Sequence, residues 1–377
     1  MTAPAPAPRK ARSVPTMRDV AALAGVSTMT VSRVLHDDPR ITLATKRRVR
    51  AAVRELGYLR NDTARNLRIG RGAGAIGLVV SNLANPFYSQ LALGIGEVAE
   101  RQGLTVMLAN SAGDVDREVR LISDLMSRRV VGMIISPASD EHPHLAARAL
   151  HSTPLVLVAR PPSGVAADCV LVDDFAGTRE ACKRLIGRGH TKVGFIGLPS
   201  TVWTGAERYR GFRAALAEAG IRVDRRYVRY QESDVAAAEK TVRSLLTVRD
   251  PPTALFAANN RNMIGALRAV SRAAHPVALA GFDDFELADM LDLPLIVVSY
   301  DPVGLGREAA RLLFERVAPG GADLPARRVI IPTTVVEYGP SRGPWHLASA
   351  DVGAAVDVGA SVMSGEVRQQ VPASAAV

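Results

Sequence analysis

The sequence predicts two linked parts. An N-terminal all-α helix-turn-helix domain, followed by a hinge helix, stands in front of an α/β body of two doubly wound parallel-sheet lobes. Three observations predict this. Residues 16–57 carry three short helical apolar periodicities, separated by glycines and cap residues. From residue 76 onward, short Val/Ile/Leu-rich runs alternate with helical patterns. The excess positive charge sits entirely in the first 71 residues.

Residues 1–15, MTAPAPAPRKARSVP, open the chain. Alternating prolines prevent a helix and nothing there can bury a core, so a disordered basic arm is expected. The arm has no apolar run and is not read as a secretory signal. No stretch of about eighteen apolar residues occurs, so no membrane span and no membrane partner are expected.

The first helix is predicted over 17–24, with Thr16 as N-cap and Val20, Leu23 and Ala24 on its inner face. Gly25 supplies a tight turn. Ser27 caps a second helix over 28–35, whose Val31, Val34 and Leu35 point inward at i, i+3, i+4. Thr42 opens a third helix with Val49, Ala52, Val53 and Leu56 inward, and Gly57 closes it. Helix, glycine turn, helix is the layout of a helix-turn-helix, here assigned to residues 16–60. The outward face of the second helix carries Thr28, Met29, Ser32, Arg33 and His36. In a major groove Arg33 would fork onto a guanine edge, Thr28 would offer a hydroxyl or methyl, and Met29 only apolar contact. On one short helix such residues are more often plain solvated side chains, and charge shifts the balance. Residues 1–71 hold fifteen Lys and Arg against five Asp and Glu, or +10. The whole chain is 47 − 37, also +10, so the remaining 306 residues are neutral with 32 of each sign. A basic module on a neutral body suits phosphate contacts that release counterions.

The run DVAALAGVSTMTVSRVL, followed by GYLRNDTARNL, resembles the lactose-repressor/galactose-repressor (LacI/GalR) family of bacterial transcription regulators. The likeness continues almost to residue 340. It implies a periplasmic-binding-protein-like body that binds a small effector, and a DNA-binding front end. Residues 61–73 then form the hinge helix and linker. Asn61 is its N-cap, Ala64 and Leu67 fall on one face, and about two turns are too short to stand alone. The resemblance places Asn61, Ala64 and Leu67 at DNA, with Leu67 as a wedge between minor-groove base pairs. Arg60 stands where the family often has proline. Gly72, Gly74 and Gly77 match a dinucleotide fingerprint in letters only, because they precede a strand rather than open a helix.

In the body, strands are predicted at 76–80, 105–109, 132–136, 155–159, 170–172, 193–196, 254–257, 277–280 and 296–298. Near-continuous apolar runs of this length suit parallel sheets covered on both faces. By analogy, lobe one is 74–172 with 301–331, and lobe two is 173–300 with a short return at 332–340. Ligand loops are expected at the C-terminal strand ends. The resemblance assigns effector contacts residue by residue to Phe87 and Tyr88 in NPFY, to Arg160, to Arg208 in RYRGF, to Asn259 and to Asp283 in GFDD. Ala159 departs from the family's Asp, and no aromatic stands near Asp234. Asn260 and Asp284 are read as caps. Carboxylate, amide and guanidinium groups beside aromatics suit a sugar-like ligand.

No catalytic constellation is found. The histidines are scattered, with no third ligand near His142 and His144. No GxSxG elbow or Walker sequence occurs, and no enzyme activity or cofactor is expected. Cys169 and Cys182 form no CxxC and read as buried small hydrophobes in a reducing cytoplasm. The tail 341–377 lacks leucine heptads and is expected to be disordered, which favours a homodimer over a tetramer. The reading is a cytoplasmic, ligand-responsive regulator, in this family most often a repressor. Two copies bind a double-stranded, near-palindromic operator, and a sugar-like effector binds in the interlobe cleft. Two alternatives remain: a small-molecule binding protein without DNA function, and a nucleotide-using α/β enzyme.

Overall fold

The computed structural model describes residues 15–35, 37–58, 74–231, 233–291 and 293–339. The expectations for the arm, hinge helix and tail lie outside the described residues, as do His36, Asn61, Ala64 and Leu67.

Three helices form the head: α1 (Met17–Ala24), α2 (Thr28–Leu35) and α3 (Leu43–Leu56). Each starts where a hydroxyl can satisfy an orphan N–H. Thr16 and Asp19 form a reciprocal capping box. Ser27 Oγ accepts from Thr30 N at 3.1 Å, and Thr42 Oγ1 accepts from Thr45 N at 3.3 Å. Gly25 (φ 62°) and Gly57 (φ 61°) end α1 and α3 in the left-handed region that glycine enters without strain. The core is Val20, Ala21, Ala24, Val31, Val34, Val49 and Ala52. One expected inward residue is corrected: Leu23 is 47% exposed, and Ala21 is buried in its place. The eight-residue α1 packs against both α2 and α3, and the small Ala21 fills the space there. Arg48 of α3 donates to the carbonyls of Ala24 and Gly25, placing a cation on the C-terminus of α1.

The chain divides into two compact units. One gathers the chain up to 173 with 201–204 and 300–332; the other gathers 174–200, 205–299 and the chain from 333. The first sheet contains β1 (Ala75–Val80), β2 (Thr105–Asn110), β3 (Met133–Ile135), β4 (Leu155–Val158), β5 (Asp168–Val172) and β11 (Arg328–Ile331). Its order is β11-β5-β4-β3-β1-β2, all parallel. The second contains β6 (Val193–Gly197), β7 (Val228–Tyr230), β8 (Ala254–Ala257), β9 (Ala278–Phe282), β10 (Leu295–Ser299) and β12 (Thr334–Tyr338). Its order is β12-β10-β9-β8-β6-β7.

Two corrections concern strands. The pattern missed β7, β11 and β12. All three are edge strands with exposed or half-exposed residues, so none shows a continuous apolar run. The second sheet is also not purely parallel, because β12 runs antiparallel to β10. An antiparallel edge on a parallel sheet is a common variant. The central strands β1, β3, β5, β6, β8 and β9 are buried throughout. Gly74 (φ 69°) leads into β1 and Gly77 lies inside it, so these glycines open no phosphate-binding helix.

Asp168 pins the returning strand β11. Burial raises its pKa, but Arg316 and Arg327 outweigh that and hold the carboxyl down to about 2. Its oxygens accept from Arg316 at 2.7 and 2.9 Å and from the backbone N–H of Arg327 at 2.7 Å. Cys169 and Cys182 are buried free thiols. Burial raises the pKa of both, most strongly for Cys182, which favours the inert thiol.

Helices α4 (Pro86–Arg101) and α5 (Val115–Ser127) belong to the first unit, as does the later helix Pro302–Val317. Within this unit α4 and the later helix meet backbone to backbone. A Cβ at Gly94 would overlap the Val303 carbonyl, and one at Gly306 would overlap Leu91 O. Gly96, on the same helix, has open space around it. Gly94→Ala is therefore expected to destabilise by roughly 1–3 kcal/mol through overpacking. Gly96→Ala should leave stability unchanged or raise it by up to about 1 kcal/mol through helix propensity. Thermal unfolding of the two variants checks the contrast; equal melting temperatures would contradict it.

Candidate nucleic-acid interface and effector site

The four head residues expected at DNA lie along α2. Thr28, Met29 and Arg33 are exposed, Met29 to 63%, and Ser32 is half-buried. The inward Val31 and Val34 hold that helix in the head core, so its opposite face is left to solvent. Met29 has no role in the core, and a large exposed apolar side chain amid cations suits contact with a groove. Several head cations are already engaged locally. Arg40 forks onto Asp38, while Arg50 and Lys46 meet Asp37.

In a parallel sheet the C-terminal ends of the strands share one edge, and the expected effector residues follow those ends. In the first unit Asn85 caps α4, and Pro86 fixes its first turn, just after β1. That places Phe87 and Tyr88, both buried, with ring centroids 4.9 Å apart edge to face. The Tyr88 hydroxyl lies 2.5 Å from Ser81 Oγ and 3.1 Å from Ser136 Oγ, at the ends of β1 and β3. Phe87 also approaches the Tyr300 ring, centroids 6.1 Å apart. Arg160 follows β4 through Ala159, which takes a left-handed φ of 63°. Its guanidinium is mostly buried, and Nη1 lies 3.9 Å from Asp140 Oδ1. The acid missing at Ala159 is thus partly replaced by Asp140 from a different loop.

In the second unit α6 (Asp174–Gly187), α7 (Trp203–Glu218), α8 (Val235–Leu246) and α9 (Asn260–Val270) surround the sheet. Arg208 of α7 is buried at the ends of β8 and β9. Its Nε donates to Asp174 Oδ1 at 2.7 Å, Nη1 donates to the Ala258 carbonyl, and Nη2 lies 3.5 Å from Asp283 Oδ1. Its guanidinium carbon sits 3.7 Å over the centroid of the Phe282 ring. Two carboxylates and one aromatic face therefore share one guanidinium. Burial pushes the Asp174 carboxyl above the ordinary range, against the pull of Arg208. Asp283 is held at a φ of 69°, a conformation that Asp tolerates better than most residues. Arg208 and Asp283 are thus brought together, with Asp174 as a third member.

Asn259 is placed differently. It, and not Asn260, caps α9: its Oδ1 accepts from Asn262 N at 2.9 Å and from Ser233 Oγ at 3.2 Å. Beside it Gln231 Nε2 donates to Asn262 Oδ1 at 3.2 Å. Asn259 Nδ2, Asn262 Nδ2 and Gln231 Oε1 are buried without a hydrogen-bond partner among the described residues. Gln231 and Asn262 were missed because β7, which positions Gln231, has only three residues. Asp284 caps no helix; it accepts from Phe285 N at 2.9 Å and from the Tyr338 hydroxyl at 2.8 Å, tying β12 to the loop after β9. His144 and Glu118 form a pair at 2.7 Å. No group of three metal-ligating side chains exists among the described residues. No described helix is long and apolar enough to cross a membrane.

Two family models match the chain. Residues 16–61 match the bacterial regulatory proteins of the lacI family, and residues 73–338 match the periplasmic binding proteins and sugar binding domain of the LacI family. The chain is similar to the HTH-type transcriptional regulator CelR of Thermobifida fusca, 33% identical over 331 residues, covering 85% of this chain and 96% of that one. It is also similar to the ribose operon repressor of Escherichia coli (strain K12), 31% identical over 307 residues, covering 80% and 93%. Among solved structures, the transcriptional regulator CelR–cellobiose complex aligns with a TM-score of 0.63 at 31% identity, covering 86% of this chain and 100% of that one. The lac repressor dimer bound to operator and the anti-inducer ONPF aligns with a TM-score of 0.73, covering 86% and 98%. At 24% identity that second likeness bears on the fold alone. These relatives are regulators and not enzymes, and the chain belongs to the LacI family of DNA-binding transcriptional regulators.

Proposed function

We propose that this chain is a cytoplasmic, effector-controlled repressor that works as a homodimer on a near-palindromic operator. The observation that carries the reading is the solvent face of α2. Thr28, Met29 and Arg33 stand exposed on the one part of the chain that holds the net positive charge. Each α2 lies in a major groove, and the paired segments 61–67 lie in the minor groove between half-sites.

Effector contacts are assigned within each unit by itself: Phe87, Tyr88 and Arg160 in the first, and Arg208, Asn259 and Asp283 in the second. Arg208 positions Asp283, whose carboxylate accepts hydrogen bonds from ligand hydroxyls. The unpartnered amide donors of Asn259 and Asn262 supply further hydrogen bonds to a polyhydroxylated ligand. A sugar is supported as the ligand class by the cellobiose complex of CelR and by the ribose operon repressor, both about a third identical to this chain. Effector and operator then change each other's affinity by one common factor.

Gel shifts against DNA upstream of the chain's own gene and its neighbours test the reading. A retained, sequence-selective band is expected; none for any fragment over bulk competitor would reject it. Arg33→Ala should weaken specific binding by about 1–3 kcal/mol and relax selectivity at one base pair. Leu67→Ala should weaken operator binding while leaving effector affinity intact; equal operator affinity would dismiss the wedge.

A thermal-shift screen of mono- and disaccharides should find a ligand that raises the melting temperature. The gain is about 2.7 kcal/mol at a hundredfold excess over Kd. Asp283→Asn, which keeps the left-handed backbone tolerable, should lose that shift but keep operator affinity without effector. A full shift in the variant would remove Asp283 from the site.

A further inference from the structure

The body is neutral as a whole, but its charge is not evenly spread. Residues 209–230 carry six arginines and two acids. Both acids are engaged: Glu218 by Arg179 and Lys183, and Asp224 by Arg226. Within the second unit, this stretch lines an open groove of about 1130 Å³, between the outer face of α7 and the edge strand β7. Arg210, Arg213, Arg222 and Arg225 line it together with Tyr209 and Tyr230. Arg210 pairs with Glu207 and stacks on Phe175. Arg213, Arg222 and Arg225 have no acidic partner within ion-pair distance among the described residues.

Three cations held on one concavity repel each other, and an anion relieves that. A bare anion would leave the aromatic wall unused. Tyr230 lines the groove, is 44% exposed and meets Tyr209 edge to face at 5.6 Å, so part of it is accessible from the groove. Arg213 lies 5.9 Å from the Tyr209 ring, which joins the cationic and aromatic sides. Burial raises the Tyr230 phenol to about 12, so the ring stays neutral beside an anion. Stacking surface next to guanidinium forks is the chemistry that takes a nucleobase and its phosphate together. The groove exceeds the usual span of about 300–1,000 Å³ for small-ligand sites, leaving room for a base, a sugar and a phosphate chain.

We propose that the groove between α7 and β7 binds a phosphorylated nucleobase ligand, with Tyr230 stacking on the base and Arg213, Arg222 and Arg225 holding phosphate. The site is built within the second unit and shares no residue with the effector set. Its ligand is either a free nucleotide or a single nucleic-acid strand, and the two differ in length and not in contact chemistry.

Isothermal titration of the full chain with ATP, with an eight-nucleotide oligothymidylate and with inorganic pyrophosphate tests this. ATP or the oligonucleotide should bind saturably and pyrophosphate at least about tenfold more weakly, since it cannot stack. The triple variant Arg213→Ala/Arg222→Ala/Arg225→Ala should abolish that binding while keeping the wild-type melting temperature and duplex binding. Tyr230→Ala should weaken it about tenfold or more. Preference for ATP identifies a nucleotide, and preference for the oligonucleotide identifies a strand. The proposal is overturned if neither ligand saturates, if affinity survives in the triple variant, or if pyrophosphate binds as tightly as ATP and Tyr230→Ala changes nothing.

Discussion

The constraint on which the body depends is the burial of its central strands on both faces. A parallel strand covered by helices on either side has no solvent face to fix its register, so packing must do so. Helices must then approach the sheet, and each other, closely. The glycine contact of α4 with the helix Pro302–Val317 follows from this, since any Cβ at Gly94 or Gly306 meets a carbonyl. The parallel strands of each sheet all end at one edge, where the loops are free to carry chemistry.

At that edge in the second unit a single guanidinium does several jobs. Arg208 joins the start of α6, the end of β8 and the end of β9, and its flat face lies on Phe282. Breaking one partner would leave a buried charge uncompensated, which costs more than the pair itself contributes. Such a hub fixes Asp283 in a left-handed conformation, with its carboxylate held beside Arg208. The first unit uses a different device: Tyr88 is held by serines at the ends of two strands, and Arg160 is guided by Asp140. The head is built on a third principle. Its core is small, and hydroxyl caps and left-handed glycines set the helix boundaries, so the exposed face of α2 is defined by what the core has already taken.

Much of this was legible in the residues. Helical spacing with Thr16, Ser27 and Thr42 ahead and Gly25 and Gly57 behind determines the head, because capping and turn chemistry are local. Continuous Val/Ile/Leu runs determine the central strands and the α/β class, because burial on both faces leaves that mark. The placement of fifteen cations before residue 72 determines which end meets polyanions. Tertiary structure alone decided the rest. The edge strands β7, β11 and β12 pair on one side only and carry no periodic signature. Leu23 faces out and Ala21 in because two neighbouring helices press on α1. Asp174 joined Arg208, and Ser233 reached the Asn259 side chain, through contacts between side chains 34 and 26 residues apart. Local pattern records what one element does for itself, and long-range pairing is written only in three dimensions.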